Sequence, residues 1–184
     1  MLAVWFITAC FGLFMAWGII IFNRLVTARN DALNAWSQID VQLKRRYDLI
    51  PNLVAAVKGY MEHEKEVLED VVRARVLAMT TGRIQDKAKA EDGLSGSLKS
   101  LFMVMEKYPV LKASENVMRL QEDLVTTENR IAFARQLYND LVANYQILCE
   151  IFPDRLVAQV FSFRQFSYFR AGTAEKETTR VELP

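Results

Sequence analysis

The residues of this chain best suited to acid–base or metal chemistry lie around its single histidine. Tyr60, His63, Glu64 and Glu66 place a phenol, an imidazole and two carboxylates within two helical turns. An imidazole titrates near neutral pH and binds metals readily, so this cluster is one candidate for a metal- or proton-dependent enzyme or sensor. The alternative interpretation is a solvated helix face with one titratable residue.

Complete catalytic templates are missing from the sequence. A zinc-protease helix would need a second histidine where the chain has Val67. A dinuclear site in a helical bundle would need two Glu-x-x-His pairs, which one histidine cannot supply. Residues 93–96, with the sequence GLSG, form neither a phosphate-binding loop nor a nucleophile elbow. We therefore expect no catalytic residues, no metal site and no cofactor.

A second polar cluster surrounds a proline. Arg46, Asp48 and Asn52 flank Pro51, and the apolar spacing continues through the proline without a break. Proline inside a helix removes one backbone hydrogen bond, so a kink there would open carbonyl groups to a partner. The cluster is a candidate interaction site, with solvation and capping of a broken helix as the alternative. The spacing favours a kink over a hairpin turn.

Two arginines stand where the helical rhythm calls for an apolar side chain. Arg29 and Arg46 could extend their methylene stems along the apolar stripe and keep their charges in water, which is the favoured interpretation. The alternative is an ion pair with an acid on a facing helix, such as Glu128 or Asp140.

An aromatic segment near the C-terminal end is the third candidate interaction site. Its rings belong to Phe161, Phe163, Phe166, Tyr168 and Phe169. One interpretation is a cap over the end of a helical core. The other is an adhesive segment that binds a partner protein or the membrane surface.

The elements that position these residues begin with an apolar helix. Residues 2–22 carry no charge, and as a helix they would extend about 30 Å, which matches the hydrocarbon core of a bilayer. We expect a retained transmembrane anchor over residues 1–23. The alternatives are a cleaved signal peptide, a lipoprotein signal ending at Cys10, and a buried core helix.

Charge fixes the expected orientation and limits the partners. Arg24, Arg29 and residues 44–46 all follow the anchor, which predicts an outside N-terminus and a cytoplasmic body at the inner membrane. The formal net charge of +1 gives no field that favours nucleic acid. The expected partners are the lipid bilayer, an unidentified membrane or cytoplasmic protein, and a second copy of the chain.

Apolar residues recur at steps of three and four along two segments, as in coiled-coil packing. The C-terminal seam consists of Val117, Leu120, Leu124, Thr127, Ile131, Ala134, Tyr138, Leu141, Tyr145, Leu148 and Phe152. The stripe after the anchor consists of Leu25, Ala32, Trp36, Ile39, Leu43, Ile50, Leu53 and Val57. Two further helices are expected, one ending near Met79 and one over residues 86–107. The pattern predicts an all-α bundle over residues 24–165 and a partly disordered tail over residues 166–184.

Several of these residue runs resemble the LemA family of bacterial membrane proteins. They are AWSQIDVQLKRRYDLIPNLV at residues 35–54, VKGY at 57–60 and ENRI at 128–131. The resemblance extends over roughly residues 5–165, and it departs at Gln146, where asparagine is common, and at Ser162, where glycine is common. It implies one N-terminal transmembrane helix that continues into an antiparallel four-helix bundle.

The resemblance does not imply an enzyme. One branch of the family is associated with magnetosome membranes, so an internal membrane of that kind is the alternative location. We expect a membrane-anchored interaction or scaffolding module, and an enzyme or sensor that uses His63 and Glu64 is the alternative.

Overall fold

The computed structural model describes residues 1–169, and residues 170–184 of the predicted tail lie outside the described part. Its helices are α1 (Leu2–Lys58), α2 (Lys65–Thr80), α3 (Ile84–Met105), α4 (Pro109–Lys112), α5 (Glu115–Glu150) and α6 (Asp154–Val160). The prediction of an all-α fold is confirmed. The chain divides into two compact units. The anchor unit contains Met1–Gln38 and Ala134–Ser167, and the bundle unit contains Ile39–Phe133 followed, after Ser167, by Tyr168 and Phe169.

Helix α1 continues from the apolar stretch through Pro51 to Lys58, as one uninterrupted helix. The hairpin alternative at Pro51 is wrong, because the chain turns at residues 59–64. Ile50 and Leu53 are fully buried, whereas Pro51 lies on the exposed side. Burial of the apolar side stabilises the helix on both sides of the proline, and the chain turns only after Lys58.

The first part of α1 is apolar and exposed. Among the helices of residues 1–169, α1 is the one that is long and apolar enough to cross a membrane. Only 6% of its most apolar 18-residue stretch is buried. Trp5, Phe11, Phe14 and Ile20 are each more than 60% exposed. Water-soluble proteins rarely expose so large an apolar surface. The alternative of a buried core helix is therefore wrong, and the stretch is suited to be a membrane anchor.

The bundle unit is built from the second half of α1, α2, α3 and the first half of α5. Short connections at residues 59–64 and 81–83 bring consecutive helices back as antiparallel neighbours. Its buried apolar side chains include Ile39, Leu43, Ile50, Leu53, Met61, Leu68, Val71, Leu94, Leu98, Leu101, Val117, Leu124 and Ile131. The predicted four-helix bundle is confirmed.

Most positions of the two predicted apolar stripes are buried, five are half-buried and one, Phe152, is exposed. Phe152 is 81% exposed, since α5 ends before it. Leu141 is half-buried, and its neighbour Val142 is fully buried. The spacing of the helix that ends near Met79 also predicts that Met79 faces inward, whereas Met79 is exposed and Ala78 is buried. An error of one residue is expected where 3.6 residues per turn shift the buried side against a fixed heptad.

The anchor unit combines the first part of α1 with the end of α5 and with α6. Ile21, Leu25 and Ala158 form its buried cluster, against which Leu148 and Phe163 pack. Closer to the C-terminal end of α1, the Trp36 ring packs edge-on against the Tyr138 ring, with centroids 5.4 Å apart. Both halves of α5 thus carry apolar contacts, one in each unit.

The seam of α5 is tested by two substitutions on neighbouring faces. Ile131 is fully buried and Phe133 is 79% exposed. We expect Ile131→Ala to lower the free energy of unfolding by about 2–5 kcal/mol, because it removes buried atoms and leaves a cavity. The control Phe133→Ala should stay within about 0.5 kcal/mol. Urea unfolding in detergent measures both, and equal losses would contradict the seam.

Candidate interaction site

Arg46 lies at the centre of a buried polar network in the bundle unit. Its guanidinium donates hydrogen bonds to the carboxylates of Glu91 on α3 and Glu128 on α5. It also donates to the Ser95 hydroxyl at 2.9 Å, and that hydroxyl donates to Glu128 at 2.9 Å. The side chains of Arg46 and Glu91 are both 0% exposed. One cation thus connects three helices.

Tyr47 extends the network. Its phenol donates a hydrogen bond to Glu91, and the ring is buried. Burial, together with the bonded carboxylate, raises the pKa of Tyr47 above its usual value. The phenol therefore remains a donor at physiological pH and helps to compensate the charge of Glu91.

The favoured sequence interpretation of Arg46 is wrong. Arg46 does not extend into water, whereas Arg29 is exposed and Lys44 and Arg45 lie on a solvated face. The alternative pairing with Glu128 is the observed one, and Glu91 is a partner that the sequence analysis missed. The only sequence signal for Glu91 was a glutamate within the apolar stripe of α3, between Ala90 and Leu94.

Pro51 leaves one backbone carbonyl of α1 without its helical donor, and the protein supplies another. Proline has no N–H, so the carbonyl oxygen of Tyr47, four residues earlier, loses its usual partner. The Arg75 side chain on α2 donates to this oxygen, with Nε 2.7 Å away. The carbonyl that we expected a partner to bind is therefore occupied from within the molecule.

The other members of the Pro51 cluster lie on the surface. Asp48, Pro51 and Asn52 are exposed on α1. They share one side of the helix, since positions three and four residues apart are neighbours on a helix surface. Arg46, in contrast, is buried and does not belong to this surface. The candidate site thus reduces to a small exposed face of α1, and its role in binding stays a prediction.

His63 lies in the turn between α1 and α2 and is exposed. It borders an open groove of about 1240 Å³ that is also lined by Val54, Lys58, Met61 and Leu68. In the described part of the chain, no three His, Cys, Asp or Glu side chains come together as a metal site. The alternative of a metal-dependent function therefore gains no support from residues 1–169.

Hydrogen bonds attach the aromatic segment after α6 to α5, and three of them run from α5 side chains to backbone carbonyls of the segment. Tyr138 donates to the carbonyl of Ser167 at 2.9 Å, and Tyr145 donates to that of Arg164 at 3.0 Å. The Gln146 side chain donates to the carbonyl of Phe166 at 2.8 Å. Burial and a hydrogen bond with Cys149 raise the pKa of Tyr145 to about 12, so its phenol remains a donor. The part of the segment up to Ser167 is thus held within the anchor unit.

The rings of the segment divide between buried and exposed positions. Phe163 and Phe166 are half-buried, with Phe166 against Tyr145 at a centroid distance of 5.3 Å. Phe169 is 1% exposed, although it falls in the predicted tail. Phe161 remains 59% exposed. The interpretation as a cap suits most of these rings, whereas Phe161 keeps an exposed side that another surface could contact.

The segment begins at Ser162, whose backbone has φ of 53°. This left-handed conformation disfavours residues with a Cβ atom and suits glycine. The resemblance above carries glycine at this position, and the turn after α6 gives the physical reason.

An exposed apolar helix that continues into a helical bundle defines a membrane-associated, all-helical protein. The chain matches the LemA family over residues 35–183 and belongs to that family. This confirms the resemblance inferred from the sequence.

Curated relatives carry two kinds of name. The chain is 23% identical over 179 residues to the magnetosome protein MamQ of Magnetospirillum gryphiswaldense, covering 83% of this chain and 66% of that protein. It is 25% identical over 159 residues to protein LemA of Metamycoplasma hominis, covering 84% and 71%. A second MamQ, from Paramagnetospirillum magneticum, is 23% identical over 88% of this chain and 69% of its own length. The chain thus spans about two thirds of the length of its MamQ relatives.

The contact between Arg75 and the Tyr47 carbonyl is tested by a double-mutant cycle. We expect Arg75→Met to cost about 1–3 kcal/mol, because it leaves a carbonyl without a partner. In a Pro51→Ala background the new N–H of residue 51 bonds that carbonyl, so the same substitution should cost much less. Urea unfolding of the four proteins measures the difference. Equal costs in both backgrounds would contradict the assignment.

The buried network is tested by removing its cation. Arg46→Met should lower the free energy of unfolding by about 3–5 kcal/mol, since it leaves Glu91 as a buried charge without its partner. Adding Glu91→Gln removes that charge and should restore part of the loss. The matched control is Arg45→Met, whose exposed ion pair with Asp123 contributes at most about 1 kcal/mol. A loss at Arg46 no larger than at Arg45 would contradict the network.

Proposed function

We propose that this chain is a membrane-anchored, non-catalytic interaction module that holds a helical bundle at the inner membrane for a partner to bind. The observation that carries the proposal is the continuity of α1, which joins an exposed apolar stretch to a bundle helix without a linker. A bundle helix that is also the membrane segment ties the bundle directly to the bilayer, which suits a scaffold.

The proposed orientation places the bundle in the cytoplasm. Arg24 and Arg29 follow the apolar stretch within two turns, and further basic residues come at 44–46. Positive charge next to a span is retained on the cytoplasmic side. The MamQ relatives are named as magnetosome proteins. A specialised internal membrane is therefore the alternative location for this chain.

The proposed partner surface is the exposed face of α1 around Pro51. Asp48 and Asn52 lie one turn apart on the exposed side of α1, and the buried Arg46 network on the other side of the helix fixes this part of it. A face held in place by three-helix contacts loses little conformational freedom when it binds, which favours recognition. A membrane protein, a cytoplasmic protein or a second copy of the chain would fit the proposal.

In-cell photo-crosslinking tests the proposal with the full chain. A photoreactive residue at Asp48 or Asn52 should form one discrete adduct, the same from both positions. Asp48→Arg should abolish the adduct formed from position 52. The matched control position is Lys99, an exposed residue on α3 of the same unit. Adducts equal in pattern and amount from all three positions, or none at all, would contradict the proposed surface.

A topology reporter tests the orientation separately. We expect a fluorescent protein fused at the C-terminus to fluoresce and a periplasmic phosphatase fused there to be inactive. An active phosphatase would overturn the proposed cytoplasmic location of the bundle.

A further inference from the structure

The anchor unit carries an exposed apolar surface at the corner between α5 and α6. We call it the corner surface and define it by Ile151, Phe152, Leu156, Val160 and Phe161, which are 43–81% exposed. On α6, Asp154 and Ala158 are buried one turn apart, and Leu156 and Val160 lie on the opposite side. The outward side of α6 is thus apolar, where a surface helix usually carries polar residues. Such a surface calls for a covering partner.

The corner surface lies beside the point where α1 leaves its apolar stretch. Ala158 is buried against Ile21 and Leu25 of α1, and Asp154 forms an ion pair with Arg24. The rings of Phe22 and Phe161 have centroids 4.8 Å apart. Phe22 is the last residue of the apolar run, so Phe161 contacts the residue at the expected edge of the hydrocarbon core.

Most exposed charges beside the corner surface have the sign that an anionic bilayer surface attracts, with Glu150 next to Ile151 as an exception. Arg155 lies between the apolar residues of α6, and Arg164 follows Phe163; both are exposed. Arg24 keeps 52% of its side chain exposed despite its ion pair. Aromatic and aliphatic side chains interspersed with arginine are typical of segments that lie in the headgroup region of anionic membranes.

We propose that the corner surface is a second membrane contact, inserted into the headgroup region of the same bilayer that α1 crosses. The inference rests on the proposed anchor and extends it. The polar region of a bilayer is about 5–8 Å thick on each side of the hydrocarbon core. A ring in contact with Phe22 falls within that layer. Direct continuity with the anchor therefore selects lipid as the occupant over a second copy or another protein.

The inserted corner surface would fix the tilt and rotation of α1. A single transmembrane helix can rotate about its own axis in the bilayer. A second membrane contact on one side of the helix would prevent that rotation. The hydrogen bonds from α5 to residues 164–167 would then hold the corner in register with α1.

The test uses the full chain in nanodiscs of phosphatidylcholine and phosphatidylglycerol. A polarity-sensitive fluorophore is attached to one introduced cysteine, Phe152→Cys or Val160→Cys, in a protein with Cys10→Ala and Cys149→Ala. The matched control is Leu137→Cys, an exposed apolar position of α5 in the same unit, about 21 Å along the helix from residue 151. Nitroxide on the lipid headgroup serves as the quencher.

We expect the labels at 152 and 160 to lose most of their fluorescence and the label at 137 to keep it. Labels at 152 and 160 that are quenched no more than the label at 137 would overturn the proposal. Self-quenching between labels at 152, without lipid quenching, would assign the surface to a second copy and would also overturn it.

A label on native Cys10, in a protein with only Cys149→Ala, separates this inference from the proposed anchor. Quenching of Cys10 by acyl-chain nitroxide without quenching at 152 and 160 would refute the corner contact and leave the anchor intact. Absence of quenching at Cys10 would refute the anchor, and the corner contact with it.

Discussion

The structure depends on the continuity of α1. A helix of 57 residues carries an apolar exposed stretch, the buried cluster of the anchor unit and one wall of the bundle unit. No glycine or proline interrupts it between Gly18 and Pro51, so it offers no hinge in that interval. Within the anchor unit, the direction of α1 therefore sets the position of the end of α5 and of α6, which pack against it.

Continuity has a cost at Pro51, and the bundle unit compensates it locally. The proline removes a hydrogen bond from the Tyr47 carbonyl, and Arg75 replaces it from α2. The adjacent Arg46 is bound by Glu91 and Glu128, so α1 is held by polar contacts from three other helices. Buried ion pairs contribute little net stability, but removing one partner is expensive, so such contacts specify how helices align.

The sequence predicts the helices well because their apolar spacing is long and regular. Ile39, Leu43, Leu53 and Leu124 are buried as expected. The polar contacts were less predictable, since the partner of Arg46 depends on which face of α3 meets α1, and spacing within one helix does not contain that information. Likewise, the turn falls at Gly59 and not at Pro51, because burial on both sides of the proline outweighs its local preference. The spacing does not predict the exposed corner surface, because it assigns Phe152 to the buried seam.

Distance measurement within α1 tests the central claim most directly. Spin labels at Phe11→Cys and Leu33→Cys, in protein without the native cysteines and reconstituted in nanodiscs, lie on opposite sides of the expected membrane boundary. A continuous helix predicts a single narrow distance distribution centred near 33 Å before allowance for the label arms, from about 1.5 Å per residue. A broad distribution, or one with a shorter mean, would show that α1 is interrupted near the membrane boundary and would contradict the account.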